Sequence, residues 1–386
     1  MGPYLVHDVI VHFIFYQSVL LLVVLSNLFM LRKARRGKAP SEEPLVSILV
    51  PARNEEKNIA LLVNSLLGQD YSNFEILVLD DESADGTRAI LELLAESNPK
   101  LRVLRGAPAR NGLTGKNWAC AQLASQAVGE ILFFTDADTV HQPNALSEIV
   151  AAMQREKADF LTGLPWQLLG SRGEKLLVPF FSWATLSFIW LWLAYRLHWT
   201  ALAVGIGQVM VFRREAYEKI GGHASLGEEI VDDRALAQKI IAAGLRWRAV
   251  HLSDLISCRM YANSKAAVEG FTKNYFAFFD FAVLPYVFVY LYLLMLAWIP
   301  LVVILMKALG AAPDALWPHL ALCVSLSVLL WLLPFTEARI PLRLALIYPI
   351  HSAASVFIAF RSLVMSMSGR LSWKGRSLGK QRWKWF

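Results

Sequence analysis

Apolar residues along this chain gather in blocks at its two ends, with a polar stretch between them. From Ile10 to Leu31 the chain is almost uncharged. At about 20 residues, such a run is long enough to cross about 30 Å of hydrocarbon as a helix. It closes on Arg32-Lys33-Ala34-Arg35-Arg36-Gly37-Lys38, a basic flank of the kind that stays cytoplasmic. A cleaved signal peptide would carry its charge before the apolar run, so the order here predicts an uncleaved anchor with its N-terminus outside. Near the other end, Phe281 to Met306 and Leu316 to Leu333 are two further candidate spans. Leu342 to Phe360 is a weaker third, because Pro349, His351 and several serines interrupt it. Three spans after a cytoplasmic domain put the basic tail outside. Two spans plus a re-entrant or interfacial third keep it inside, as the positive-inside tendency prefers.

Between Ser41 and about Tyr275 the pattern shortens to that of a globular domain. Leu45 to Val50 and Phe74 to Leu79 are β-branched runs closed by Pro51 and by Asp80-Asp81, and Leu101 to Leu104 and Ile131 to Phe134 add two more strands. Helical spacing of apolar residues fills the intervals at Glu56 to Leu67, Arg88 to Leu94 and Asn117 to Ala127. Strand and helix alternate, which predicts an α/β domain with a mostly parallel sheet and helices on both faces. Ligands of such sheets sit outside the carboxyl ends of the strands. The expected organisation is therefore an anchor with a basic run at 1–40, a domain at 41–275, spans at 276–368 and a basic aromatic tail at 369–386.

Composition sharpens this picture. The 386 residues are 56% hydrophobic and 18% charged, with thirteen Trp, and the mean hydropathy is +0.42. Disorder is excluded, and so is an ordinary soluble enzyme. The net charge of +7 could suit nucleic acid. Its basic residues, however, cluster beside apolar segments, in the post-anchor run and in the tail with Trp373, Trp383 and Trp385. That pattern suits anionic lipid head groups and not nucleic acid. Cys120, Cys258 and Cys323 are widely spaced and form no metal-ligand pattern.

The polar residues just past the strands carry the candidate chemistry. They are Ala52-Arg53-Asn54-Glu55, Asp80-Asp81-Glu82-Ser83 and Thr135-Asp136-Ala137-Asp138. Carboxylates gathered at one edge repel unless a cation or hydrogen-bond donors are shared among them. Asp136 and Asp138 can present hard oxygen ligands to Mg2+ or Mn2+, which complete their shells with water and phosphate.

At these residues the chain resembles the inverting family 2 glycosyltransferases of the GT-A fold, over about Val46 to His251. Pro51-Ala52-Arg53-Asn54-Glu55 is similar to that family's P-x-x-N-E, which lies against the nucleotide base and ribose. Asp80-Asp81-Glu82-Ser83-Ala84-Asp85-Gly86-Thr87 is similar to its D-D-x-S-x-D-x-T, whose acidic residue recognises uracil. Asp136-Ala137-Asp138 is similar to its D-x-D, the metal and diphosphate site. The resemblance also implies a lysine near the donor phosphates at Lys116, where a cation ahead of a helix needs an anion beside it. The family's catalytic carboxylate corresponds to Asp233, with Asp232 beside it and open as the alternative base. Either would take the proton of an acceptor hydroxyl as it attacks the anomeric carbon. The Q-x-x-R-W of processive synthases is missing; Phe271 to Phe276 stands in its place, with Lys273 and Asn274 as candidates for the acceptor side. Gly207 and Gln208 fall where relatives line the acceptor.

Leu176 to Ala203 is rich in aromatics, including Trp183, Trp190 and Trp192. Crossing there would separate Asp138 from Asp233, so an interfacial helix pair over about 172–204 is expected, with core packing as the alternative. Thr114 to Ala119, Asp136 to Thr139 and Val231 to Asp233 most resemble bacterial enzymes that glycosylate carotenoids, of the chlorobactene type, and hopene-associated glycosyltransferases. The resemblance implies a UDP-sugar donor, UDP-glucose first among the hexose donors, a hydroxylated isoprenoid lipid acceptor and the bacterial inner membrane with the domain facing the cytoplasm. A hopanoid or polyprenyl-phosphate acceptor, and a non-catalytic nucleotide-sugar-binding membrane protein, are the competing readings.

Overall fold

The computed structural model describes residues 3–35, 40, 42–108, 112–310, 316–374, 376–379 and 381–386. Arg36 and Lys38 of the basic run and Lys380 of the tail lie outside them. The chain opens with helix α1 (Pro3–Arg35) and then alternates β1 (Val46–Ala52), α2 (Ile59–Leu67), β2 (Phe74–Asp80), α3 (Thr87–Glu96), β3 (Leu101–Arg105), α4 (Gly115–Gln126) and β4 (Ile131–Phe134). There follow β5 (Thr139–His141), α5 (Ala145–Glu156), β6 (Phe160–Thr162), β7 (Trp166–Gln167), α6 (Arg172–Phe188), α7 (Leu191–Leu197), β8 (Met210–Arg213) and α8 (Arg214–Lys219). The remainder runs through α9 (Asp232–Ala242), β9 (Trp247–Ala249), β10 (Ile256–Cys258), α10 (Ser264–Ala277), α11 (Val283–Ala308), α12 (Trp317–Glu337) and α13 (Tyr348–Met367).

Two compact units emerge. The sheet unit comprises Phe29–Leu168 and Leu191–Met260, and the helical unit comprises Met1–Leu28, Leu169–Trp190 and Tyr261–Phe386. In the sheet unit seven strands lie in the order β3-β2-β1-β4-β8-β6-β9. The first four are mutually parallel. The sheet departs from pure parallel order at β8, which runs antiparallel to β4 and β6. Period-2 patterning is blind to strand direction, so the alternation of strands and helices alone cannot reveal this reversal. Ile59, Leu62, Val63 and Leu66 of α2 are buried at helical spacing against the same core as Val46, Ile48 and Val50 of β1. A small second sheet, in the order β5-β10-β7, braces the segment after β4.

Among the described residues, four helical stretches are long and apolar enough by length and composition to cross a membrane: Leu5–Leu31, Val283–Ala308, Trp317–Glu337 and Leu342–Met367. The last, read as the weaker candidate, is a continuous helical stretch despite the residues that interrupt its sequence. Pro349 occupies the first turn of α13, where its missing N–H costs nothing. His351 is fully buried, with its two ring nitrogens on the Leu176 and Leu344 carbonyls. Within the aromatic stretch the two helices use their tryptophans differently. On α6, Trp183 is buried and stacks on Trp331 of α12 at 4.5 Å between ring centres. On α7, in the sheet unit, Trp192 is exposed, as is Trp199 just after it.

Candidate functional site

Strand register puts the motifs side by side. Pro51 pairs with Leu79 and Ala52 with Asp80, so the loops after β1 and β2 leave the sheet together. They are strapped to each other by backbone and side chain. The Asn54 N–H donates to Ser83 Oγ at 2.9 Å, and the Ala84 N–H donates to Asn54 Oδ1 at 2.8 Å. The Glu55 N–H donates to Thr87 Oγ1 at 2.8 Å, and Thr87 in turn donates to Asp85. Arg53 Nη1 donates to the Asp81 carbonyl at 2.7 Å and lies 3.8 Å from the Asp81 carboxylate. Asn54 accepts a left-handed backbone, with φ of 54°, to make this turn.

The D-x-D turn follows β4, whose Phe134 pairs with Leu49 of β1. Thr135, Thr139 and His141 hold its shape from beneath. Thr139 Oγ1 donates to the Asp136 carbonyl at 2.9 Å, and His141 Nε2 lies 3.1 Å from Thr139 Oγ1 and 3.2 Å from Thr135 Oγ1. Burial pushes the His141 imidazole down to about 3, so it is neutral. Asp136 Oδ1 is 2.9 Å from Lys116 Nζ, on the first turn of α4. Asp138 Oδ1 accepts the Cys258 thiol of β10 at 3.4 Å.

Asp232 and Asp233 open α9 and point to different partners. Asp232 is buried, with Oδ2 3.6 Å from Lys116 Nζ and 3.8 Å from His223 Nε2. Asp233 accepts the Gly207 N–H on Oδ2 at 2.8 Å and the Arg234 N–H on Oδ1 at 2.7 Å. Burial, and then the negative charge of Asp232, push the Asp233 carboxyl up to about 7, against the opposing pull of Lys116. Burial alone would lower the Lys116 ammonium, yet the Asp136 and Asp232 carboxylates hold it well above its usual range.

Gly207 sits where these groups converge. A Cβ there would lie 3.3 Å from Lys116 Nζ, 3.4 Å from Asp233 Oδ2 and 3.8 Å from Asp136 Oδ2. Gly205 has a different reason for lacking a side chain: a Cβ would come within 2.2 Å of the Asp233 carbonyl oxygen. The fold therefore brings Lys116, Asp136, Asp232, Asp233 and Gly207 to one place. Gln208 is adjacent but turned inward, with its Oε1 accepting Gln167 Nε2 at 2.9 Å. Lys273 and Asn274 lie on α10 in the helical unit, where the Lys273 ammonium stands 5.1 Å over the Trp373 ring.

Two residues that sequence reasoning does not single out back this cluster. The His223 N–H donates to Tyr217 Oη at 3.0 Å, and the phenol lies 2.9 Å from His223 Nδ1. With its oxygen accepting, the hydroxyl donates to Nδ1, which leaves the ring proton on Nε2, facing Asp232. Burial lowers the His223 imidazole below its ordinary value, against the carboxylate of Asp232, and keeps it neutral. Only the doublet Gly221-Gly222 marks this place in the sequence: a Cβ on Gly222 would lie 2.3 Å from the Tyr217 ring.

Among the described residues, no group of three or more His, Cys, Asp and Glu could hold an ion. Asp136 and Asp138 offer two hard carboxylates, which fit a divalent cation that takes its other ligands from water and diphosphate.

Residues 47–221 match the family model described as Glycosyl transferase family 2. The chain is 29% identical over 253 residues to the 4,4'-diaponeurosporenoate glycosyltransferase of Staphylococcus haemolyticus, covering 63% of each. It is 41% identical over 116 residues to the beta-monoglucosyldiacylglycerol synthase of Trichormus variabilis, covering 30% of this chain and 24% of the relative. The chain thus spans less than two thirds of the length of either relative. In fold it is similar to a mannosyltransferase from Pyrobaculum calidifontis solved with GDP-Man and Mn2+. The TM-score is 0.50 at 20% identity, over 92% of this chain and 87% of that one.

Proposed function

Since residues 47–221 belong to glycosyl transferase family 2, in a chain with the GT-A fold, we propose that it moves a hexose, glucose first among the candidates, from a UDP-sugar to the hydroxyl of a membrane lipid, with inversion and one sugar per acceptor. The observation that carries this reading is the convergence of Lys116, Asp136 and Asp233 on Gly207. A cation and a carboxylate raised toward neutrality within a few ångströms of one point suit a reaction that takes a proton at one atom and leaves negative charge at another.

In this mechanism Asp233, ionised, accepts the proton of the acceptor hydroxyl as its oxygen bonds to the anomeric carbon. The bond from that carbon to the diphosphate oxygen breaks on the opposite face, and UDP leaves with the electron pair. Asp233 suits the base role better than Asp232, because Asp232 is buried against Lys116 and His223. Lys116 places its charge toward the diphosphate. Arg53, Glu55, Asp80, Asp81 and Ser83, with the backbone of Pro51, Ala52 and Ala137, form the nucleotide side. When bound at Asp136 and Asp138, Mg2+ or Mn2+ supplies further positive charge to the diphosphate.

The lipid acceptor is supported by the four apolar helices and by the relatives, whose names join a glycosyl group to diaponeurosporenoate and to diacylglycerol. A carotenoid-type isoprenoid alcohol is the acceptor class proposed, at the bacterial inner membrane with the sheet unit on the cytoplasmic side. The test is incubation of detergent-solubilised protein with labelled UDP-glucose and a bacterial lipid extract, followed by identification of the labelled lipid. A new glucosylated isoprenoid is the expected product. Label in polymer, or in no lipid with any nucleotide sugar, would overturn the reading.

A further inference from the structure

The segment 369–386 carries Arg370, Lys374, Arg376, Lys380, Arg382 and Lys384 and no acidic residue. Within the helical unit its last part is tied by backbone to the start of α11. The Val283 N–H donates to the Lys384 carbonyl at 2.9 Å, the Leu284 N–H to the Trp385 carbonyl at 3.0 Å, and the Lys384 N–H to the Phe281 carbonyl at 3.0 Å. These bonds satisfy first-turn amides of a helix whose N-cap, Ala282, has no side chain to offer them. The tail therefore sits at the mouth of a helix long and apolar enough to cross a membrane. Leu284, Phe288, Leu291 and Met295 form an exposed stripe along α11 from this same point. A stripe of that kind suits a hydrocarbon surrounding.

The tail here is two-faced. Trp383 and Trp385 lie edge to face, with ring centres 5.4 Å apart. In an extended segment that puts Arg382 and Lys384 on the alternate face. Exposed tryptophan beside exposed arginine and lysine, held where that apolar stripe begins, matches the depth at which bilayer head groups lie. Asp280 is the acidic residue at the head of α11, a single negative charge against this cationic strip. Upstream, the paired strands Ser372–Trp373 and Arg376–Ser377 meet α10 through Trp373 under Lys273, and Trp373 also lies edge-on to Tyr261, ahead of that helix.

We propose that Arg382 to Phe386 form a head-group site for anionic phospholipid, built at the mouth of α11 and separate from the sugar-transfer chemistry. Arg382 and Lys384 pair with the lipid phosphate while Trp383 and Trp385 rest at the acyl boundary. The test uses the full chain in detergent with phosphatidylglycerol and phosphatidylcholine, counting retained lipids by native mass spectrometry. Preferential retention of phosphatidylglycerol is expected. Arg382→Gln with Lys384→Gln should weaken it about 30-fold, from about 1 kcal/mol per basic residue, and Arg382→Lys with Lys384→Arg should preserve it. In the unaltered chain the preference should fall as salt rises from about 0.1 M to 1 M. Equal retention of the two lipids, a salt-independent preference, or equal loss in the charge-keeping variant would overturn the proposal. The count is made without nucleotide sugar, and Asp233→Asn should leave it unchanged, so it stands or falls apart from the transferase reading.

Discussion

Asp233 and Asp232 are neighbours of the same type with opposite surroundings, and this contrast sets the first expectations. Asp233→Asn should lower turnover by about 10²- to 10⁴-fold, the span typical of a lost general base, while UDP binding measured by calorimetry persists. Turnover of the parent chain should rise with pH through about 7, as the raised Asp233 carboxyl ionises. The same shift has a stability consequence. A carboxyl raised in the folded state adds stability that is fully present below its unfolded value, about 4, and is lost as pH rises through about 7. Asp233→Asn should therefore gain melting temperature relative to the parent at pH 8 more than at pH 4, as read by thermal unfolding. Tyr217→Phe removes the hydroxyl that fixes the His223 tautomer, and loss of this buried hydrogen bond should cost about 1 kcal/mol of stability. None of these surroundings is written in the local sequence, because His223 and Asp232 meet across the turn that precedes α9.

At the level of elements, the motifs of β1, β2 and β4 are legible because each follows a short apolar strand and parallel neighbours align their carboxyl ends. The Asn54–Ser83 and Glu55–Thr87 straps then follow from register. Gly205 and Gly207 are harder to read, since a glycine before a strand has many uses and only the approach of α9 shows which applies. Gly207→Ala should place a methyl against Lys116, Asp233 and Asp136, and cut turnover far more than it lowers the melting temperature. Asp138→Ala should weaken UDP binding in the presence of Mn2+ more than in its absence, as measured by calorimetry; equal affinities would remove Asp138 from the proposed metal site. On α6, patterning leaves two arrangements open. Its aromatics have the composition of an interfacial belt, yet the stacking of Trp183 on Trp331 turns them inward. Composition records which side chains are apolar, and only a neighbouring helix determines which face they use.

For the whole molecule, four apolar helices predict that the chain stays with membranes through a high-salt, alkaline wash and leaves them only in detergent. Recovery in the wash would contradict a spanning arrangement. The alternation of blocks, the strand-end carboxylates and the apolar runs were all readable from residue order, because each depends on neighbours within a few positions: a period of 2 or 3.6, a run of about 20, a motif of four to eight. The reversal of β8, the inward turn of α6 and the meeting of Lys116, Asp136 and Asp233 depend on residues tens to more than a hundred positions apart. Their energies come from burial and from charges held a few ångströms apart. Residue order named the groups that could do this chemistry; the packing of α4, α9 and the Gly205–Gly207 turn decided which of them share a site, because a carboxyl near neutrality needs a specific buried partner that no local pattern encodes.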